Sequence, residues 1–387
     1  MRNSGVAIIF LTMFIDLLGF GLIIPILPIY SEQLGASGWM IGLIVGSYSM
    51  MQFIFAPVWG NLSDHLGRKP ILLGSIAINV AGYIFFANAS TLFLLLLSRS
   101  FSGIGSANIS VAQAYISDIT TAENRAKSFG LIGVAFGLGF ILGPPFGGFL
   151  KENYGIAALG YTASALSALN LFFVFFFLKE SFTDRPEGKF VWKNPFKGIL
   201  EGFRKPIVSE IMTITFVYIS AFSMMHVTAS LLWQNQYNKS EAEIGYIFAF
   251  IGMSVVAVQG TLVGPATKRF GERNMLRAGC GLMAIGLASM PFVPAQVFYP
   301  LMLVSLLIIA FGNGFSSPSI QSLLSQSVEP HEQGKFMGIN QSLGSLGRVI
   351  GPIMGAAIYE YYYVSPYVLA GLMMIACLFL TRRIPGF

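Results

Sequence analysis

Four ionisable side chains stand inside long apolar stretches of this 387-residue sequence: Asp16, Arg99, His226 and Arg348. Each residue type does a different job in such a place. A lone carboxyl deep in apolar surroundings costs several kcal/mol if charged, so it can take a proton on one side of a membrane and give it up on the other. A guanidinium keeps its charge and must find partners, or hold an anion through its fork of donors. An imidazole titrates near neutral pH. The other common chemistries have no footing. His65, His226 and His331 show no metal-ligand spacing, and neither G-x-S-x-G nor H-E-x-x-H occurs. No metal, cofactor or catalytic residue is expected, and the chain is not read as an enzyme.

The elements that must hold these groups follow from composition. Hydrophobic residues make up 55% of the chain and charged residues 10%, against roughly 25% charge in a soluble domain. Disorder is excluded by the same numbers. The two cysteines, Cys280 and Cys377, lie in apolar runs, which excludes a disulfide scaffold. The formal net charge of +6 sits in short breaks between apolar segments, so no basic face for nucleic acid is expected. Runs long enough to cross the hydrocarbon core, about 20 residues each, are predicted at 5–30, 39–60, 70–88, 91–117, 127–150, 157–178, 207–231, 244–266, 274–291, 297–320, 336–362 and 364–381. The fold class is therefore an all-α polytopic membrane protein of twelve transmembrane helices. The first run lacks a small-residue cleavage site and is read as a retained helix.

Orientation follows from the positive residues. With a cytoplasmic N-terminus, nineteen of the 23 Lys and Arg fall in cytoplasmic segments; Lys151 and Lys239 fall outside, and Arg99 and Arg348 lie within helices. Both termini are expected in the cytoplasm and the protein in the cell (inner) membrane. The longest loop, 179–206, is expected to be a solvated linker with an amphipathic stretch between Phe190 and Phe203.

The chain also repeats. GNLSDHLGRKPILLG at 60–74 is similar to GPATKRFGERNMLRAG at 264–279. LGFILGPPFGGFL at 138–150 matches LGRVIGPIMGAAI at 346–358, and Gly103, Gly105 and Glu123 match Gly312, Gly314 and Glu332. Offsets of 204 to 209 imply two pseudo-symmetric six-helix bundles, at 1–178 and 207–387. Such a duplication suits a transporter with its substrate site near mid-membrane.

The motifs carry a family resemblance along the whole chain. GNLSDHLGRKP at 60–70 resembles the signature loop of the major facilitator superfamily. LSRSFSGIG at 97–105 resembles that family's fourth-helix arginine motif, and GVAFGLGFILGPPFGG at 133–148 its antiporter motif. DLLGFGLIIPILP at 16–28 is similar to the first helix of twelve-helix drug:proton antiporters. YSMMQFIFAP at 48–57 and HEQG at 331–334 fit the tetracycline-efflux proteins within them. The resemblance implies a major facilitator fold and a proton-coupled exporter of small amphipathic molecules, of the tetracycline or multidrug type. It implies a small-molecule substrate, protons and the lipid bilayer as partners, and a monomer.

Residue roles follow, some from position and some from the resemblance. Asp16 lies about 11 residues into its helix, roughly 16 Å at 1.5 Å per residue, and is the expected proton-coupling group; the alternative is a neutral acid bonded to a neighbouring helix. Arg99 is expected to work with it, or to be a fixed lock on helix carbonyls or Gln113. The resemblance makes Gly60, Asp64, Gly67, Arg68, Asp118 and Arg125 a conformational latch, with Arg68 paired to Asp118 and Asp64 near the start of the eleventh helix, where a plain surface loop is the alternative. Gly139, Gly143, Gly147 and Gly148 give a small face suited to close helix approach. Gly252, Gly260 and Gly264 of the eighth helix are candidates to face it, and Pro144 with Pro145 is expected to bend the fifth helix. Candidate cavity residues are Gln52, Asn108, Phe136, Phe222, His226, Gln259, Asn313, Gln341 and Arg348, with Phe20, Tyr48, Phe248 and Phe315 as further aromatic walls.

The sequence also departs from those relatives. Where they carry further membrane acids this chain has Gly82 and Met283, and Val255 stands near an expected histidine. Arg348 stands where they have a small residue. This shifts the cavity toward positive charge and opens an alternative substrate class, an anionic or zwitterionic metabolite, sugar or lipid-like molecule. Arg348 could equally pair with Asp16 or backbone groups, and His226 could be a core histidine satisfied by its neighbours. A membrane sensor without transport is the remote alternative.

Overall fold

The structure, a computed structural model, describes residues 2–120, 122–181, 195–329 and 332–384, with side chains outside 2–4, 122–127, 129 and 195–197. Among the described residues there is no strand. The elements are α1 (Arg2–Ile23), α2 (Leu27–Gln33), α3 (Gly38–Leu66), α4 (Arg68–Ala87), α5 (Leu92–Gly105), α6 (Ile109–Ile119), α7 (Ala122–Phe177), α8 (Pro195–Gly202), α9 (Pro206–Tyr237), α10 (Glu241–Thr261), α11 (Val263–Phe270), α12 (Glu272–Ser289), α13 (Phe298–Gln326), α14 (Gln333–Tyr361) and α15 (Ser365–Leu380).

Among the described residues, ten helical stretches are long and apolar enough to cross a membrane. One of them, Gly130–Phe177, has 48 residues, about 72 Å at 1.5 Å per residue and far more than one hydrocarbon core. It is two spans divided at Gly155, whose φ of 82° breaks the helical path at a value that suits a residue without Cβ. The remaining span is α14, the eleventh in chain order, where Asn340, Gln341, Ser342, Ser345 and Arg348 interrupt the apolar run. The protein is thus a multi-pass all-α membrane protein, with twelve spans among the described residues. Pro144 and Pro145 lie within α7, and the helix runs through both; the non-helical residue inside it is Gly155.

Two compact units divide the chain: Met1–Leu34, Ser47–Lys193 and Ser240–Ala249 form one, and Gly35–Gly46, Asn194–Lys239 and Phe250–Phe387 the other. In the first, α1 packs along α7, and α4 against α5 and α7; in the second, α9 packs along α14, and α12 against α13 and α15. The pairing order is the same, as the sequence repeat requires. The glycine positions repeat too. In the first unit a Cβ on Gly139 would stand 2.8 Å from the Leu17 carbonyl carbon, one on Gly143 would stand 2.7 Å from Gly21 Cα, and one on Gly147 would overlap the Leu22 carbonyl oxygen. In the second unit the residues 208 further on, Gly347, Gly351 and Gly355, meet Phe216, Ser220 and Met224 of α9 in the same way.

A second repeated contact closes each unit. Glu152 Oε2 accepts a hydrogen bond from the Ala242 amide at the start of α10 (3.1 Å). Glu360 Oε2, again 208 residues on, accepts one from the Gly38 amide at the start of α3 (2.7 Å). A carboxylate there satisfies an orphan donor and meets the positive end of the helix dipole. These contacts explain why the first residues of α3 and α10 sit in the units they do.

The region read as a solvated linker contains α8, which packs against α14. Glu201 of α8 pairs with Lys335, and Lys205 pairs with Glu332 at 2.5 Å. Residues 182–194 of that loop lie outside the described residues, as does His331.

Candidate functional site

Asp16 sits two-thirds of the way along α1, among residues that are almost all apolar. The hydroxyl one turn earlier on the helix, Thr12, is engaged with the Ile8 carbonyl and Asn170, so neighbouring helices must supply the partners. Asp16 is buried, 5% exposed. Its Oδ1 accepts from Asn79 Nδ2 of α4 (3.2 Å), and its Oδ2 from Asn108 Nδ2 (3.1 Å). Both asparagines are fully buried. Asn79 Nδ2 also donates to Ser106 Oγ (3.1 Å), and Ser106 Oγ donates back to Asn79 Oδ1 (3.3 Å). Asn108 Nδ2 also donates to Ser75 Oγ (3.1 Å). A single carboxyl is thus held by two amides and backed by two hydroxyls.

Ser106 and Asn108 bound a 3₁₀ turn, Ser106–Asn108, that separates α5 from α6 within the fourth span. Such a turn in mid-span often marks a hinge. Its neighbour Gly105 allows the close approach: a Cβ there would stand 2.7 Å from the Ser75 carbonyl oxygen and 2.8 Å from Asn79. Gln52 Nε2 donates to the Ser106 carbonyl (3.2 Å) and to Tyr48 Oη (3.3 Å).

Arg99 is 2% exposed. Its guanidinium lies 4.8 Å from the centre of the Tyr48 ring, a cation–π contact strengthened by removal from water. Its Nε has no hydrogen-bond acceptor among the described residues. The ring of Tyr48, in turn, packs 4.8 Å from Phe20 of α1. Arg99 was expected to be locked on helix carbonyls or Gln113, or to work with Asp16; in this structure its contact is the Tyr48 face, while both Asp16 oxygens are taken by asparagines.

The α3–α4 loop forms a separate ionic cluster. Arg68 is 6% exposed; its Nε donates to Asp118 Oδ2 (3.1 Å), and its Nη1 to Asp64 Oδ1 (2.6 Å) and Ser63 Oγ (2.7 Å). Gly60 contributes its carbonyl, which accepts from Ser63 Oγ (2.7 Å). A residue that sequence reasoning left in the loop, Glu180, completes the cluster: its two oxygens accept from the amides of Arg68 (2.9 Å) and Lys69 (3.1 Å) at the start of α4. Gly67 has φ of 102°, and a Cβ there would stand 2.5 Å from Glu180 Oε2. Glu180→Ala is expected to cost ~1 kcal/mol, the usual value of a lost helix cap, read as a lower Tm in detergent micelles. An unchanged Tm would contradict the capping role. The Arg125 side chain lies outside the described residues.

The glycine face at 139, 143 and 147 is turned to α1, as described. The eighth-span glycine Gly245 meets α7 at the adjoining prolines, where a Cβ would stand 2.9 Å from the Pro144 carbonyl carbon. Gly148 packs on Glu241 and Ala242. A small face announces close approach and leaves the partner open; here α1 is one partner.

The cavity candidates belong to both units. Asn108, expected as a substrate anchor, is buried against Asp16. Phe136 is 37% exposed. Phe222 stacks 6.4 Å from Tyr218 and lies edge-on to His226 at 4.7 Å. Arg348 is half-buried on α14, and its Nη2 donates to Ser345 Oγ (2.9 Å). Gln259 and Gln341 are exposed and Asn313 is half-buried. Asn79, Ser75 and Ser106 were missed; each is a single polar residue in a helix, with no pattern to separate it from an ordinary serine or asparagine.

The family model of the Major Facilitator Superfamily matches residues 9–352. The chain belongs to the Major Facilitator Superfamily. Among its facilitator relatives, the tetracycline resistance protein of class C from Escherichia coli is 32% identical over 369 residues, covering 92% of this chain and 90% of the relative. Multidrug resistance protein 2 of Bacillus subtilis is 27% identical over 372 residues, covering 95% and 92%. Two solved facilitators share the fold: the nucleoside transporter NupG (13% identical, TM-score 0.80, covering 98% of each chain), and the human organic anion transporter MFSD10 (24% identical, TM-score 0.73, covering 98% and 99%). This facilitator chain is therefore a membrane transporter by family.

Proposed function

We propose that this protein is a proton-coupled exporter of small amphipathic molecules, working by alternating access. The observation that carries the reading is Asp16, a carboxyl in an apolar span whose two oxygens are held by neutral amides. It has no buried cation as an ion-pair partner among the described residues. No permanent positive charge fixes it as a carboxylate, and a carboxyl held by neutral donors can change its protonation as its surroundings change. Protons would enter on Asp16 and leave on the other side while the substrate moves outward. The excess of Lys and Arg in one set of loops supports cytoplasmic termini, and the bacterial tetracycline-efflux relatives support the cell membrane and an amphipathic drug as cargo. The protein is expected to work as a monomer of two six-helix halves joined by the 179–206 segment.

The test is transport into proteoliposomes under an imposed pH gradient, with cationic, zwitterionic and anionic compounds, tetracycline among them. Gradient-dependent uptake of at least one compound is expected. Uptake of none, or uptake indifferent to the gradient, would contradict the reading.

Arg348 favours the second reading, an anionic or zwitterionic cargo, because a guanidinium within a membrane span matches a carboxylate or phosphate. If Arg348 meets the cargo, Arg348→Ala is expected to lower uptake of anionic compounds by roughly tenfold or more, the value of one lost charged hydrogen bond, with cationic compounds spared. An unchanged spectrum would remove Arg348 from the site.

A further inference from the structure

The two amides on Asp16 are not equivalent. Asn79 is bonded through both ends of its amide, because Ser106 Oγ accepts from its Nδ2 and donates to its Oδ1. Asn108 is bonded through its nitrogen alone: Nδ2 serves both Asp16 Oδ2 and Ser75 Oγ, while Oδ1 is buried without a partner. A buried carbonyl with no donor is uncommon and asks for an explanation.

The chemistry of the carboxyl supplies one. As a carboxylate, Asp16 accepts at both oxygens, and two N–H donors suit it. With a proton on Oδ2 it becomes a donor there and faces a second donor, Asn108 Nδ2, so that bond is lost. A half-turn of the Asn108 amide exchanges its nitrogen and oxygen. Oδ1 then accepts from the Asp16 O–H, and the Ser75 hydroxyl, which here donates to the Leu72 carbonyl (2.8 Å), can turn to donate to it instead. The amide makes two hydrogen bonds in either orientation, so the proton on Asp16 decides between them. Asn79, tied at both ends, keeps its place. The other titratable or charged groups around this cluster are Tyr83 of α4, whose hydroxyl abuts Gly19, and Arg99 of α5 over Tyr48 of α3. On α7 the polar neighbour is neutral: Asn170 Oδ1 accepts from Thr12 Oγ1.

We propose that Asn108 is a positioning residue that reads the protonation of Asp16 by turning its side-chain amide, and conveys it to the 3₁₀ break of the fourth span. Asn108 is the last residue of that break, and its φ and ψ of −83° and −2° lie off the helical values of the residues that follow. Ser106, at the other end of the break, bridges Asn79. Proton arrival therefore alters bonding at a place where the span is already interrupted. The inference rests on Asp16 as the proton carrier and adds the element that senses it.

The test is pH-difference infrared spectroscopy of the full-length protein in liposomes, with isotope-labelled asparagine. A neutral-carboxyl band should grow on acidification and be absent in Asp16→Asn. An asparagine side-chain amide band should shift over the same pH course. That shift should be lost in Asp16→Asn, in Asn108→Leu and in the milder Asn108→Ala; the wild-type measurement needs no variant to fold. A titrating Asp16 carboxyl with motionless asparagine bands would overturn the proposal, as would an amide shift that survives both substitutions at 108. Should both bands titrate together while transport ignores the pH gradient, coupled export falls and the amide switch stands.

Discussion

Asp16→Asn is expected to abolish uptake driven by a pH gradient in inverted vesicles, down to the level of vesicles without the protein, while counterflow exchange of substrate survives. The asparagine is nearly isosteric with a neutral aspartic acid, so the packing of α1 on α7 is largely kept. The oxygen of the new side chain can still accept from one of the two neighbouring amides, while its nitrogen, a donor, needs the Asn108 amide turned so that its oxygen accepts. What is lost is the capacity to gain and release a proton. Exchange needs only a site that opens alternately to the two sides; net uphill movement needs the proton as well. Retention of full gradient-driven uptake by Asp16→Asn would remove the residue from the coupling mechanism. Loss of both uptake and counterflow would instead mark it as structural.

The second large effect concerns helix contact. Gly147→Ala is expected to destabilise the protein by ~1–3 kcal/mol, the usual cost of overpacking, and to abolish transport. The new methyl would overlap the Leu22 carbonyl oxygen and stand 2.9 Å from Leu22 Cα. Both are backbone atoms, so no rotamer change can relieve the contact; α1 and α7 must separate. Asp16 is six residues before Leu22 on the same helix, so its distance from Asn79 and Asn108 would change with the separation. Gly133→Ala is the matched control, since a Cβ there meets nothing within 4 Å. It is expected to change stability by no more than ~0.5 kcal/mol, as exposed substitutions do. Thermal unfolding in micelles and uptake in proteoliposomes measure both variants. Equal behaviour of the two would contradict the close approach of α1 and α7.

Much of this was legible in the amino-acid order, for physical reasons that also mark where reading stops. Twelve spans could be counted because the hydrocarbon core imposes a length on each helix. Even the fifth and sixth, joined here by nothing more than Gly155, could be separated by length. The doubling was legible because Gly139, Gly143 and Gly147 recur as Gly347, Gly351 and Gly355, and the structure gives both sets the same work. Asp16 stood out as the one acid in its run. Its cradle did not, since Asn79 and Ser75 become a site only when α4 is rotated to face α1, and rotation is set by packing across the whole unit. Asn108 was visible as a polar residue and was assigned to a substrate cavity; which neighbour it serves depends on the 3₁₀ turn that ends at it, and nothing in SAN at 106–108 marks that turn. Glu180 read as one more loop charge because a helix cap from a distant segment leaves no local pattern.

The account turns on whether Asp16 gives up a proton when cargo arrives. That can be measured directly by adding a compound found to be transported to purified protein in lightly buffered detergent solution with a pH-sensitive dye. Wild-type protein should release protons on addition, and Asp16→Asn should release none. Equal release by the two proteins would contradict the account.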